Sequence, residues 1–439
     1  MQNYDTYNEF YLLKQRSTMP LNQLATAYVQ LTLNINEHHT GYVDAYYGPK
    51  EWQQGLTKLP LTELAIEAER LYQQITELAA KNHTTSQTWQ LRLHSLEANL
   101  RAAKTFIAHL QGHTLSFDQE SLALYDAVSP HYGEADFDTL LGQLDTLLPS
   151  SVTFGSSATL NQRLNDFRSQ FIIPKQHIAK VFNAAIEKAR ELTAKHISLP
   201  VHENFNVALV TNQVWSAYNW FKGNSYSLIE VNTDFPIYID RAVDLACHEG
   251  YPGHHVFNSL IEENLYLKNG WVEYCVYPLF SPLSLLAEGS ANYGIEVVFD
   301  KKDRMTFEQN VLFPLAELDS SQVELYYQVL AVLHKLSYVD NMVARRYLDA
   351  EITHAQAIEL LMKYALSDEK KSQQRLKFIE QNRSYVLNYN LGQDLTKAYV
   401  ENQLAQVLPA NATPLQVIDL RWQILTDLLR NPRCASMLK

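Results

Sequence analysis

Residues 241–255 read RAVDLACHEGYPGHH, and the pair His248-Glu249 near their middle has the residue types of a metal-assisted hydrolytic site. In the HExxH zinc motif two histidines four residues apart lie about 40° apart around a helix and one turn along it, so both reach one ion. The glutamate between them takes a proton from water. Here the fourth position after His248 is Pro252, and the next histidines are His254 and His255. On an unbroken helix His254 points away, and His255 sits about 10 Å along the axis. Pro252 removes a backbone donor and Gly253 relaxes the backbone, so the helix expected over 242–249 is interrupted there. Two residues looped out at that point bring His254 to the place of the second histidine. The spacing therefore favours His254 as the ligand, with His255 as the alternative and otherwise a residue behind the ligands or facing substrate.

A catalytic zinc uses three protein ligands and keeps a fourth position for water or substrate. The segment LLAEGSANYGIE, residues 285–296, is apolar and helix-compatible and carries Glu288 as the third candidate. Its small neighbours Gly289, Ser290 and Ala291 allow close packing against the first helix. Asn292, four residues on and on the same face, can accept a hydrogen bond from a liganding imidazole. Glu249 is then the general base. Cys247 faces another direction on the helix and reads as a small core residue. The cluster His38, His39 and Asp44 in EHHTGYVDAYYGP reads as a helix end leading into a turn.

The elements that must position these groups are mainly helical. Trp89, Leu93, Leu96, Leu100, Ala103, Ile107 and Leu110 make one apolar face. Further stripes run through Leu21, Leu24, Tyr28, Leu31 and Ile35, and through Ile178, Phe182, Ala185, Ala189 and Leu192. A long helical pattern covers about 320–347. Thr353 with Gln356 and Thr413 with Gln416 match capping boxes, and Pro414 suits a first turn. Helical periodicity stops at 149–157 (PSSVTFGSS) and near Leu199-Pro200. Short β-type runs at 207–210 and 226–231 predict a small sheet just before the His-Glu pair. Its strand 226–231, ending at Asn232, is expected to receive an extended peptide along an exposed edge.

HEGYPGHH, preceded by an EVNT-like strand and followed by Glu288-Gly289 and small residues, resembles the bacterial domain-of-unknown-function family marked by HExxPGHH. That family is regarded as zinc metallopeptidases of mostly helical, gluzincin-like architecture. The similarity extends to Tyr389-Asn390-Leu391-Gly392, which matches the family's Tyr-x-x-Gly element, with Arg383 and Tyr385 just before it. It covers about 205–393; the first 200 residues match in helical texture and in the YYGP turn. The segment after Glu288 departs from relatives that carry a bulky aromatic after Glu-Gly and a differently placed second acid, so Glu296 receives no role. The stretch before Tyr389 lacks their Pro-Gly-Gln.

The resemblance implies a peptidase with one zinc held by His248, His254 and Glu288. Tyr389 is expected to stabilise the oxyanion, and Arg383, Tyr385 and Asn232 to contact substrate, Tyr385 and Arg383 being alternatives for the oxyanion role. The expected architecture is mainly α and zincin-like: two helical lobes around a cleft with a small sheet, an N-terminal region 1–200 and a catalytic region 201–439 forming one two-lobed unit. Two other readings of the same residues stay open: a zinc hydrolase of non-peptide amides or esters, and a helical binding protein with a vestigial site.

Whole-chain properties exclude several classes. With 439 residues, 46% of them hydrophobic, the chain can bury a large core. Its 36 basic against 48 acidic residues give a net charge of -12, which repels nucleic acid. Three scattered cysteines make no disulfide framework, and no apolar run approaches the roughly 18 residues of a membrane span. The N-terminus has no signal-peptide pattern. A cytoplasmic protein acting on a peptide or small amide is expected.

Overall fold

The stripe that begins at Trp89 lies on the helix Gln87–Leu110, with Leu93, Leu96, Leu100, Ala103 and Ile107 fully inside. The same holds for Ile178, Phe182, Ala185 and Ala189 on Ile178–Ala194, and for Leu21 to Ile35 on a helix over 20–36. The computed structural model describes residues 20–81, 86–213 and 215–438, and it is mainly helical with two small sheets. Both expected capping boxes form: Thr353 starts His354–Tyr364 and Thr413 starts Pro414–Arg430, each side chain accepting from the amide three residues on.

The pattern over 320–347 divides into Val323–Leu336 and Val339–Leu348. The carbonyl of Ser337, at the break, accepts a side-chain hydrogen bond from Asn390 at 3.2 Å. The same carbonyl also accepts the Asp340 amide, three residues on, at 3.3 Å, so the chain turns tightly there and a tertiary partner joins it.

The three-stranded sheet contains β2 (Asn204–Val210), β3 (Ala217–Phe221) and β4 (Tyr226–Asn232) in the order β2-β4-β3. β4 is parallel to β2 and antiparallel to β3, so the strand expected to offer a free edge is the central one. Adding a peptide to β4 is ruled out because both its edges are paired. The hairpin between β3 and β4 has positive φ at Gly223, Asn224 and Ser225. Glu262 clamps this turn, accepting from the amides of Asn224 at 2.7 Å and Ser225 at 2.8 Å.

A second sheet joins the halves of the chain: β1 (Val43–Tyr46) runs antiparallel to β5 (Val276–Pro278). Beside it, the buried Arg92 forks onto Glu273 at 2.6 and 2.9 Å. Removing one partner of such a pair strands a charge in the core, which typically costs about 3–5 kcal/mol.

The tightest helix crossing lies between Pro282–Val298 and Leu387–Val407. A Cβ on Gly289 would fall 2.3 Å from backbone atoms of Gly392. Gly289 therefore admits the helix Leu387–Val407, and on the side of the His248 segment Asn292 meets His248 at 2.9 Å and Gly294 faces the ring of Pro252. Gly392→Val places carbon 2.7 Å from the Leu285 carbonyl and 3.0 Å from Gly289 Cα. Overpacking of this kind lowers stability by about 1–3 kcal/mol. Gly142→Ala, where nothing lies within 4 Å, should leave stability equal or raised. Chemical unfolding midpoints of the two variants check the contrast.

Candidate metal centre

His248 is carried beyond the helix Ile239–Leu245 on a widened turn, Ala246–Gly250. The amide of Tyr251 donates to the Ala246 carbonyl five residues back, at 3.0 Å, and that of Gly253 to Cys247 six back, at 2.9 Å. The backbone absorbs two residues there. The Tyr251–Pro252 peptide is cis, and a new helix begins at His254. Gly253 is required by close approach: a Cβ would sit 1.9 Å from the His248 carbonyl oxygen.

This turn brings Nε2 of His254 to 3.1 Å from Nε2 of His248, and Oε2 of Glu288 to 3.3 Å from His248 and 3.7 Å from His254. A tetrahedral ion with bonds of about 2.0–2.2 Å has ligand edges of about 3.3–3.6 Å. The three measured edges bracket that range. Glu288 Oε2 is buried and makes no hydrogen bond, while Oε1 accepts from the Tyr385 hydroxyl at 2.8 Å. One oxygen is thus held by the protein and the other is aimed at both imidazoles. Burial works against the Glu288 carboxylate, but the charge of His254 and the facing His248 hold its carboxyl well below the usual range. For His254, burial is outweighed by Glu288, Glu249 and Asp44, and its pKa is pushed up to about 9. The two imidazoles and one carboxylate fit a zinc ion in donor type, number and spacing.

Asn292 takes the place expected of it. Its Oδ1 faces Nδ1 of His248 at 2.9 Å, and its amide donates to the Tyr389 carbonyl at 2.9 Å. The amide orientation thereby assigns the proton to Nδ1 and leaves the Nε2 lone pair toward Glu288. His255 goes elsewhere. It is fully buried, with Nδ1 at 2.8 Å from Ser227 Oγ and Nε2 at 3.0 Å from Glu203, which also binds Arg190 and Tyr251. It anchors the new helix to β4, neither behind the ligands nor facing substrate.

The triad opens into a cleft of about 970 Å³. β3 and the 241–258 segment line it together with residues of Pro282–Val298, Val323–Leu336, Glu369–Asn382 and Leu387–Val407. Glu249 and Tyr389 face this space. Burial, with the charges of Glu288 and Glu249, pushes the Tyr389 phenol well above its ordinary pKa, so it remains a donor.

Three expected substrate contacts are placed differently. Tyr385 lines the cleft but spends its hydroxyl on Glu288. Arg383 binds Glu120 at 2.6 Å and lines a separate cavity of about 180 Å³. Asn232 is buried and donates to the carbonyls of Gln213 and Trp215, which shapes the loop into β3. In each case a nearby polar group on another element captures the side chain.

Two cleft residues were missed by the sequence reading. Asp44, assigned there to a turn, lies on β1 and lines the cleft, where its Oδ1 accepts from the Tyr218 hydroxyl of β3. Burial, together with Glu288 and Glu249 and opposed by Tyr218 and His254, pushes its carboxyl up to about 6. The four-residue strand VDAY is too short for its alternation to register as a signal.

No family model and no curated relative matches the chain. Among solved structures it is similar to a "putative lipoprotein" from Colwellia psychrerythraea, at 14% identity and a TM-score of 0.49, over 87% of this chain and 71% of that one. A "putative lipoprotein of unknown function" from Shewanella oneidensis gives 13% and 0.45 over 86% and 74%. A structure described as CHT gives 11% and 0.45 over 95% and 91%. These are distant likenesses.

Equilibrium dialysis against zinc should give one ion per chain, abolished in His254→Ala and kept by folded His255→Ala. Tyr385→Phe frees Glu288 Oε1 from its donor and should weaken binding roughly 10- to 100-fold. Zinc retained by His254→Ala would refute the assignment.

Proposed function

We propose that this protein is a zinc-dependent metallopeptidase. The observation that carries the reading is the convergence of His248, His254 and Glu288 within 3.7 Å of one another, with Glu249 beside them in a large cleft. The HExxPGHH resemblance implies the same activity. Zinc bound there supplies a Lewis acid and a water of lowered pKa.

The chain's own residues account for the remaining chemistry. Glu249, adjacent to His248 and facing the cleft, accepts the proton of the attacking water and returns it to the leaving amine. The Tyr389 phenol, kept protonated by its surroundings, donates to the oxygen on which negative charge develops. Tyr385 and Asn292 hold Glu288 and His248 in place.

β3 supports a peptide rather than a small amide as substrate. Asn232 donates its amide to the Ser216 carbonyl, and Lys222 donates to Tyr226, so the even-numbered residues of this strand bond to β4. By alternation the backbone groups of Ala217 and Asn219 point away from β4 along the strand's other edge. Both residues line the cleft. An extended substrate can pair with them, which transfers the expected strand addition from β4 to β3.

Glu249→Gln should retain stoichiometric zinc and lose at least about 10²-fold in kcat on a mixed-length peptide library, the typical scale of a general base. A chelator should abolish wild-type cleavage and added zinc restore it. Undiminished turnover by Glu249→Gln would disprove the mechanism; zinc-dependent hydrolysis confined to esters or non-peptide amides would move the activity to another substrate class.

A further inference from the structure

Most ionic groups that line the cleft already have a partner. Arg241 and Arg304 meet Asp244 at 3.1 and 2.8 Å, Arg304 also meets Glu308 at 2.9 Å, Arg375 meets Asp340 at 2.6 Å, and Glu296 meets Lys397 at 2.6 Å. Three cleft carboxylates have no Lys or Arg among the described residues: Asp44, Glu249 and Glu288. A bound dication offsets two negative charges, those of Glu288 and Glu249. Asp44 is the carboxylate left over.

Asp44 is also held in place. β1 is paired to β5, and the Tyr218 hydroxyl fixes Oδ1 from β3, the strand whose outward backbone groups line the cleft. A chain lying along that edge passes Tyr218 and meets this carboxylate. An unpaired carboxylate in a partly desolvated site attracts an ammonium and repels a terminal carboxylate. Charge therefore selects which end of a substrate sits there.

We propose that Asp44, oriented by Tyr218, binds the free α-ammonium of the substrate, so that the cleft acts on the amino-terminal end of short peptides. This deepens the peptidase reading and rests on it. A competing role for Asp44, supporting His254 as a ligand, predicts a change in zinc content instead.

The test compares zinc-loaded wild type, Asp44→Asn and Tyr218→Phe on short peptides of one sequence, with a free or an acetylated amino terminus. Wild type should prefer the free terminus by roughly 10- to 100-fold in kcat/KM, the scale of one hydrogen bond to a charged group. Asp44→Asn should raise KM for the free peptide by a similar factor, leave the acetylated one within about twofold, and keep its zinc. Tyr218→Phe should shift the same ratio in the same direction by less. Equal wild-type rates on both peptides, or zinc lost from Asp44→Asn, would overturn the assignment.

If no peptide is cleaved, the peptidase reading fails by itself. Calorimetric titration of Glu249→Gln with the same two peptides then decides about Asp44. Tighter binding of the free amine, lost when Asp44→Asn is added, supports the ammonium site, and equal binding refutes it.

Discussion

The backbone of residues 246–253 is the constraint on which the site depends. Two residues more than an α-helix allows are packed between His248 and His254, and the amides of Tyr251 and Gly253 reach carbonyls five and six residues back. Only glycine fits at 253, because the His248 carbonyl lies where a side chain would begin. The packing around the turn maintains it. Gly294 admits the Pro252 ring, Asn219 donates to the Glu249 carbonyl at 2.6 Å, and His255 ties the next helix to β4 through Ser227. The sheet thus serves the chemistry twice, since β3 lines the cleft and β4 anchors the element that carries His254.

The opposite half of the ligand set is fixed by a different device. Gly289 and Gly392 let two helix backbones touch, which sets Glu288 beside the segment holding Tyr385 and Tyr389. Tyr385 then orients Glu288 directly, and Asn292 connects the Tyr389 carbonyl to the His248 ring. Glu288 and His248 are therefore positioned from one short stretch, Tyr385 and Tyr389, where the turn Arg383–Val386 enters the helix Leu387–Val407, although 40 residues separate them in sequence. Hydrogen bonds to the atoms of His248 and Glu288 that face away from the triad restrict their rotation and tautomer, which would preorganise the proposed zinc site.

Legibility from sequence followed the range over which each signal acts. Helical faces and capping boxes are local and were readable, except that the pattern over 320–347 breaks at Ser337; the interruption at Pro252-Gly253 was readable too, because proline and glycine act on their own backbone. Glu288 was legible as the carboxylate of an apolar, helix-compatible segment, and Asn292 from its spacing of four residues beyond it. The missed features are all long-range. β1 owes its existence to pairing with β5 more than two hundred residues away, so Asp44 looked like part of a turn. Arg383 and Asn232 carry suitable donors, but Glu120 and the Gln213 and Trp215 carbonyls take them first, and no periodicity announces such capture. The central place of β4 follows from strand order, which short β-type runs do not encode.

The distribution of charge explains why a chain of net charge -12 can hold so many acids around one cleft. Arg241, Arg304 and Arg375 are each locked onto carboxylates at the periphery, so their charges are largely spent on the scaffold. Among the described residues the central acids Glu249, Glu288 and Asp44 have no Lys or Arg partner, and the imidazoles of His248 and His254 face Glu288 instead. Burial first, and then Glu288 and Glu249, raise the Asp44 carboxyl, so a cation bound beside it as proposed would stabilise its charge. Fixed arginines at the centre would compete with the proposed zinc ion and with the proposed substrate ammonium. Under the proposed reading, Glu249, Glu288 and Asp44 without such partners would give electrostatic selectivity for zinc and for an ammonium.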